Sequence, residues 1–297
     1  MHLAITGATG LIGTPLVAAL NGAGHRVTRL VRSSPSGSDR VWNPAQGTLD
    51  PAALEGVDAV IHLAGAGIGD KRWTPAYKDL IRSSRVASTE LLARTMASMN
   101  DGPKVLLSGS AIGIYGNRAD EVLDETSALG TGFLADVCKE WEAATRPAEQ
   151  AGVRVVHLRT GIVLTPKGGA LKKLLPLFRF GLGGRFGNGR QWQSWISMDD
   201  EIGAIIHLLG SQVEGAVNLT APNPVTNAEF SATLARVLKR PGFLPVPSFG
   251  PGIVVGRELA DNLLFHSQRV VPSALTASGY QFRHSHLEAA LRALLAR

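Results

Sequence analysis

The stretch Thr6-Gly7-Ala8-Thr9-Gly10-Leu11-Ile12-Gly13 decides the fold of this chain. Ahead of it Leu3-Ala4-Ile5 reads as a short buried strand, and after it Leu16-Val17-Ala18-Ala19-Leu20 reads as an apolar helix. In a strand–glycine turn–helix unit each glycine has its own duty. Gly7 permits the tight turn, Gly10 lets backbone N–H groups approach a pyrophosphate, and Gly13 lets the helix pack closely on the strand. The helix N-terminus adds unpaired N–H donors and partial positive charge. Bracketing by strand and helix, rather than glycine spacing by itself, makes this a prediction of dinucleotide binding. The expected contacts run through Gly7, Thr9, Gly10, Leu11 and Ile12.

The next strand bears on which dinucleotide is bound. The helix stop Gly22-Ala23-Gly24 leads into a strand over His25–Arg32. A site built for NAD places an acid near the end of that strand to accept the ribose 2′-hydroxyl. Here Val31-Arg32-Ser33-Ser34 stands in that place, and no acid comes before Asp39. A guanidinium can pair with a 2′-phosphate that a carboxylate would repel. Arg32 therefore points to NADP(H), the alternative being a solvated arginine at a strand end.

Further along, Val57–Gly65 reads as a buried strand, Lys78–Met99 as a long helix and Lys104–Ser108 as the next strand. Leu134–Gln150 is predicted helical and Val153–Arg159 a further strand. This alternation predicts an α/β fold, a doubly wound parallel sheet with helices on both faces. From Pro166 the texture changes: Gly168-Gly169 and Gly181–Gly189 interrupt the pattern, and prolines cluster at 241, 245, 247 and 251. Ser197–Leu209 reads as a helix returning to the core and Gly215–Leu219 as a late strand. Residues 1–165 are thus expected to form the dinucleotide-binding domain, rejoined by 195–222. Residues 166–194 and 223–297 would form a smaller α/β domain over the carboxyl ends of the strands, shaping a substrate cleft.

Among the 297 residues, 44% apolar and 18% charged content fits a well-cored domain rather than a disordered chain. The single cysteine, Cys138, excludes an internal disulfide and suits a reducing cytosol. Met1 runs directly into a strand, which predicts no signal peptide, and no apolar run has transmembrane length. The net charge of +6 raises nucleic acid as a partner, but Lys and Arg are scattered. An anionic cofactor with a small-molecule substrate accounts for the balance more simply, so neither nucleic acid nor membrane is expected. No cluster has the Cys/His spacing of a metal site. A monomer or homodimer is expected.

With His62-Leu63-Ala64-Gly65 and Leu107-Ser108-Gly109-Ser110-Ala111 added to the glycine turn, the chain resembles the extended short-chain dehydrogenase/reductases. It resembles more closely their atypical SulA-like or YfcH-like epimerase branch, which carries a DUF1731-type C-terminal segment. The motifs are Lys71-Arg72-Trp73-Thr74, Ser84-Arg85-Val86, Lys139-Glu140-Trp141-Glu142-Ala143-Ala144 and Gly181-Leu182-Gly183-Gly184. Gly189-Arg190-Gln191-Trp192, Ser194-Trp195-Ile196, Val271-Pro272, Gly279-Tyr280-Gln281-Phe282 and Leu287-Glu288-Ala289-Ala290-Leu291 extend the likeness over essentially the whole chain.

The resemblance implies an NADP(H)-dependent oxidoreductase or epimerase acting on a small polar substrate, such as a carbonyl compound or sugar nucleotide. It also implies site residues. Leu63, Ala64, Gly65, Ser108 and Ile162 would wall the cofactor, Arg85 would reach its phosphates or ribose, and Lys139 would hold the ribose. Ser110 occupies the place of the active-site serine. The superfamily's proton carrier is a tyrosine four residues before the lysine, its phenol made more acidic by the ammonium. In this chain that place is Ala135, which has no proton to give. A non-catalytic NADP(H)-binding or sensor protein is the competing reading.

No replacement for the phenol stands out. Tyr115, in Ile112-Gly113-Ile114-Tyr115-Gly116, is the first candidate for proton transfer, with packing or substrate contact as its alternatives. Tyr77 reads as structural. Tyr280 reads as either core or substrate wall. Asp136 points about 100° away from position 135 on a helix. Cys138 beside Lys139 fits a core residue better than a nucleophile. His62 reads more readily as a satisfied core histidine than as a catalytic one.

Residues 181–195 read as a glycine-rich hairpin, with Arg190, Gln191 and Trp195 as substrate contacts and packed tryptophans as the alternative. Asp199-Asp200 suggests an acid pair, yet Ser197 three residues before Asp200 and ahead of Ile202 is a helix-capping pattern. The cofactor assignment is directly testable. Arg32→Asp is expected to weaken NADPH binding far more than NADH binding in a fluorescence titration, and equal losses would refute the 2′-phosphate role.

Overall fold

The computed structural model describes residues 1–242, 246, 252 and 256–295. The glycine turn joins β1 (His2–Thr6) to α1 (Gly13–Gly22), as the sequence pattern predicts. Leu3 and Ile5 of β1 are buried with Leu16 and Leu20 of α1, a pair four apart on one helix face. The strands β2 (Arg26–Val31), β3 (Arg40–Asn43), β4 (Thr48–Leu49), β5 (Ala59–His62), β6 (Val105–Ala111), β7 (Val122–Leu123) and β8 (Arg154–Thr160) follow in turn. After them come β9 (Ile162–Leu164), β10 (Trp192–Gln193), β11 (Trp195–Ser197), β12 (Gly215–Leu219), β13 (Val225–Thr226) and β14 (Arg269–Val270).

One sheet of eight strands has the order β12-β8-β6-β5-β1-β2-β3-β4. Its pairings are parallel except β3 with β4. The chain moves outward from β1 to β3, then returns beside β1 at β5 and builds outward on the other side. That reversal opens a crevice at the carboxyl ends of β1 and β5, the place where open α/β sheets bind ligands.

Both faces of the sheet are covered. Leu16 and Leu20 of α1 share one core with Ala204, Ile205 and Leu208 of α6 (Met198–Gly210). Leu92, Ala93 and Met96 of α2 (Pro75–Ala97) share the other with Ala148. The helix expected over 134–150 is two helices, α3 (Phe133–Ala143) and α4 (Arg146–Gln150). Pro147 lacks an N–H and crowds the turn before it, so the run breaks at Thr145. The Thr145 hydroxyl at the break lies 2.7 Å from both the Glu142 carbonyl and the Glu149 carboxylate, either of which can accept its proton.

A second core lies where α5 (Gly169–Arg179), α7 (Asn227–Leu238) and α8 (Leu287–Leu295) meet, burying Leu175, Phe178, Phe230, Leu234 and Leu291. The hairpin expected over 181–195 does not form. β10 pairs antiparallel with β13, and β11 pairs parallel with β9. The glycines serve close packing instead, since a side chain at Gly183 would strike the Phe178 ring. Pro241 follows α7, and the other clustered prolines, 245, 247 and 251, lie outside the described residues. Among the described residues no helix is long and apolar enough to cross a membrane.

The capping pattern at Ser197 is realised: its Oγ accepts the Asp200 N–H at 3.0 Å. Asp200 is buried and takes the backbone N–H groups of Arg283 and His284 (2.7 and 3.0 Å) and the Tyr280 hydroxyl (3.2 Å). Tyr280 is half-buried and packs against the main core. The neighbouring Glu201 is also buried, accepts from the Thr160 hydroxyl at 3.0 Å, and leaves Oε2 without a partner among the described residues. Burial pushes its pKa up to about 8. The folded chain thus keeps a proton that the unfolded chain releases near 4.5. Its contribution to stability is full below that value and is lost as pH rises through about 8. Glu201→Gln is expected to flatten the fall in urea-unfolding midpoint between about pH 5 and pH 9. A slope unchanged in the variant would place the ionisation elsewhere.

Candidate cofactor and substrate site

The glycine turn is shaped by contact across the sheet's switch point. Gly7 has φ +66°, and a Cβ there would lie 2.7 Å from the Leu63 carbonyl carbon and 2.9 Å from the Ala64 nitrogen. Only glycine lets the ends of β1 and β5 come this close. A side chain at Gly13 would strike the Gly7 carbonyl, while the Gly10 N–H donates to that carbonyl at 2.9 Å. Ile12 starts α1 with no side-chain cap, and the first turn holds no acid. Thr9 and Leu11 are exposed. The amides there are left for an anion, so the cradle fits a pyrophosphate.

Past β2, Arg32 is exposed, and no hydrogen bond or ion pair engages its side chain among the described residues. The first acid beyond it, Asp39, is occupied. Arg29 grips both its oxygens at 2.7 Å, and that bond holds the carboxyl below its ordinary range. The strand end is therefore open to an anion, with Val31 half-buried beside it.

Beyond β5, Leu63, Ala64 and Gly65 border the crevice. Arg85 lies across Gly65, where a Cβ would sit 3.3 Å from the guanidinium carbon. Its Nη1 donates to the Ala66 and Ile81 carbonyls (2.9 and 3.0 Å), and the guanidinium stacks 5.1 Å from the Trp141 ring centre. Arg85 thus forms a wall held by backbone. His62 is fully buried between the Thr6 and Ser88 hydroxyls (2.6 and 3.1 Å), and burial takes its pKa down to about 3. It is a neutral core histidine. Ser108 is buried with its hydroxyl unpartnered among the described residues, and Ile162 is half-buried where β9 begins.

The residues expected to carry chemistry are each engaged elsewhere. Ser110 donates to Glu142 at 2.7 Å, and Glu142 is gripped by Arg159 through Nε and Nη2 (2.8 and 2.9 Å). Burial alone would raise the Glu142 pKa, but the Arg159 hydrogen bonds and charge outweigh it and hold the carboxyl below its usual range. Arg159 Nη1 donates to the Tyr115 hydroxyl (3.0 Å), which donates to Asn218 (2.8 Å). Tyr115 is fully buried and its pKa is raised by burial, a placement that suits a fixed internal network rather than proton exchange. Ala135 is buried on α3 one turn before Lys139, whose ammonium donates to Asp136 at 3.2 Å. Cys138 is buried with its thiol pushed up to about 12, and Tyr77 donates to the Gly67 carbonyl at 2.5 Å.

Two expected substrate contacts face inward. Trp195 is fully buried with Nε1 on the Asn223 carbonyl (3.1 Å), because pairing of β11 with β9 turns it into the second core. Gln191 is buried, its amide donating to the Phe186 and Leu264 carbonyls (3.3 and 3.0 Å). Arg190 is exposed. The structure instead opens a cavity of about 450 Å³ between Tyr115–Arg118, the approach to α3 at Gly130–Phe133, and Glu258, Asn262 and His266. No local pattern marks it, since its walls come from three distant segments. Among the described residues no group of three or more His, Cys, Asp or Glu could hold a metal ion. Replacing Arg159 by Met should strand a buried carboxylate and cost roughly 3–5 kcal/mol in urea unfolding, whereas a loss under about 1 kcal/mol would show the pair to be dispensable.

Comparison with known proteins shows the family and the fold. The NAD dependent epimerase/dehydratase family matches residues 3–220, and a domain of unknown function, DUF1731, matches residues 246–294. An epimerase family protein of Mycobacterium bovis is 48% identical over 291 residues, covering 97% of this chain and 96% of its own length. The human epimerase family protein SDR39U1, crystallised with NADPH, superposes with a TM-score of 0.92 at 34% identity, covering 100% of this chain and 99% of that one. A UDP-glucuronic acid 4-epimerase of Bacillus cereus in complex with NAD shares the fold at 15% identity, with a TM-score of 0.77 and coverage of 100% and 96%. With its parallel sheet, glycine cradle and these likenesses, the chain belongs to the NAD dependent epimerase/dehydratase family.

Proposed function

We propose that this protein binds NADP(H) in the crevice between β1 and β5 and works in a reducing cytosol. It acts as an oxidoreductase or epimerase on a small polar substrate held beside α3. The observation that carries this reading is the uncapped, acid-free N-terminus of α1 behind the Gly7 turn, with Arg32 unpaired nearby. The amides of Thr9, Leu11 and Ile12 would hold the pyrophosphate and Arg32 the 2′-phosphate. Leu63, Ala64, Gly65, Ser108 and Ile162 would flank the cofactor, with Arg85 as a wall. Lys139 would exchange Asp136 for the ribose. When bound, the nicotinamide supplies or accepts a hydride. The cleft lies between the 1–165 unit and the smaller part formed by 166–194 and 223–297.

A second reading has its own support. Ser110 has committed its proton to Glu142, and Ala135 offers none, which favours an NADP(H)-dependent binding or sensor protein. One experiment separates them. Purified protein is titrated with NADPH by fluorescence, then assayed against carbonyl compounds and nucleotide sugars. Turnover supports the enzyme. Binding without turnover, unchanged in Ala135→Tyr, supports the sensor, and absence of NADPH binding contradicts both.

A further inference from the structure

We propose that the cavity beside α3 receives an uncharged, hydroxyl-bearing substrate and that the His266 imidazole takes that hydroxyl's proton. This rests on the enzyme reading above and deepens it.

The lining carries two formal charges near the imidazole, and each is already matched. Arg118 spends Nε and Nη2 on Glu121 (2.8 and 2.6 Å) and Nη1 on the Ala128 carbonyl (2.7 Å). Glu258 holds the Lys78 ammonium at 2.6 Å, which bridges α2 to the C-terminal part beside the opening. What remains is neutral and polar: the Thr131 hydroxyl, the free ends of the Asn117 and Asn262 amides, and the imidazole. An anionic ligand finds no unmatched cation in this lining. A neutral alcohol or sugar-like molecule finds donors and acceptors in a volume of suitable size.

His266 is presented by unusual backbone. Residues Asp261–Phe265 form a π-helical turn closed by the His266 N–H on the Asp261 carbonyl (3.0 Å). Such turns are rare and concentrate at functional sites. The half-buried ring has no hydrogen bond among the described residues. Among the described residues, the charged groups nearby are Asp261 of its own turn, ion-paired with Arg257 at 3.7 Å, Glu258 just before it, paired with Lys78 of α2, and Arg118 from the segment after β6. Burial lowers the imidazole pKa and Asp261 opposes the shift, so the ring is neutral near pH 7 and able to accept a proton. Gly132 and Phe133, which share the lining, open α3 just ahead of Ala135. His266 and the start of α3 thus line one cavity.

The step balances. The substrate O–H gives its proton to the imidazole as its C–H gives a hydride to NADP+, leaving a carbonyl and NADPH, and the imidazolium releases its proton to water.

The test begins with histidine-labelled protein saturated with NADP+, whose ring resonances are titrated by NMR. The His266 signal, assigned from its absence in His266→Ala, is expected to titrate below 6.5. It should also shift on addition of at least one of propan-2-ol, cyclohexanol, glucose or xylose. That probe should reduce NADP+ at a rate that falls as pH drops through the imidazole pKa. His266→Ala should lose about 100-fold or more in this rate, keep its NADPH affinity, and regain rate with added imidazole. Failure to bind NADPH would overturn the proposed function itself. Binding with no probe shifting the ring, with no turnover, or with turnover undiminished in His266→Ala would overturn this proposal alone.

Discussion

Glu142 of α3 and Arg159 of β8 meet in a bidentate pair with side chains only 12% and 6% exposed. Taking two charges out of water is costly, and such a pair holds only when its remaining hydrogen-bonding capacity is filled. Here it is. Ser110 of β6 donates to the carboxylate, Arg159 reaches the Tyr115 hydroxyl, and Tyr115 reaches Asn218 of β12. Asn218 then donates to the Val271 carbonyl, and its backbone N–H donates to Glu125. One charge pair therefore ties together segments from residue 110 to residue 271. It fixes α3, which carries Ala135 and Lys139, against the carboxyl ends of the strands.

The same pair shapes the chemistry available to the crevice. A serine hydroxyl has one proton, and Ser110 gives it to a carboxylate held ionised by Arg159. Toward a ligand it can only accept. A carbonyl oxygen gains nothing from that surface, whereas a hydroxyl or N–H does. Ala135, buried one turn before Lys139, adds no hydrogen-bonding group to that surface.

Local rules made the cradle legible. Gly7, Gly10 and Gly13 each meet a nearby backbone demand, and β1, α1, β2 and β5 lie close to where alternation and apolar runs put them. The Ser197 cap and the core role of His62 followed from residue type and spacing. Tertiary pairing was not legible. Nothing near Trp195 announces that β11 will lie beside β9, so an exposed-looking Trp and Gln turned out to be core. Glycines over 181–189 resembled a hairpin, but Gly183 serves close packing against Phe178. Pro147 marked the break between α3 and α4, yet the apolar spacing around it continued across. The cavity at His266 depends on a π-helical turn and on segments over a hundred residues apart, which no window of sequence reports.

An NADP(H) molecule in the switch-point crevice would rest its phosphates on α1 and Arg32, and everything proposed for the site depends on that seat. A crystal structure of the protein grown with NADPH tests it most directly. The pyrophosphate is expected on the amides of Thr9, Leu11 and Ile12, the 2′-phosphate on the Arg32 guanidinium, and the nicotinamide end toward α3. A cofactor seated away from the Gly7 turn, or a 2′-phosphate that does not touch Arg32, would contradict it.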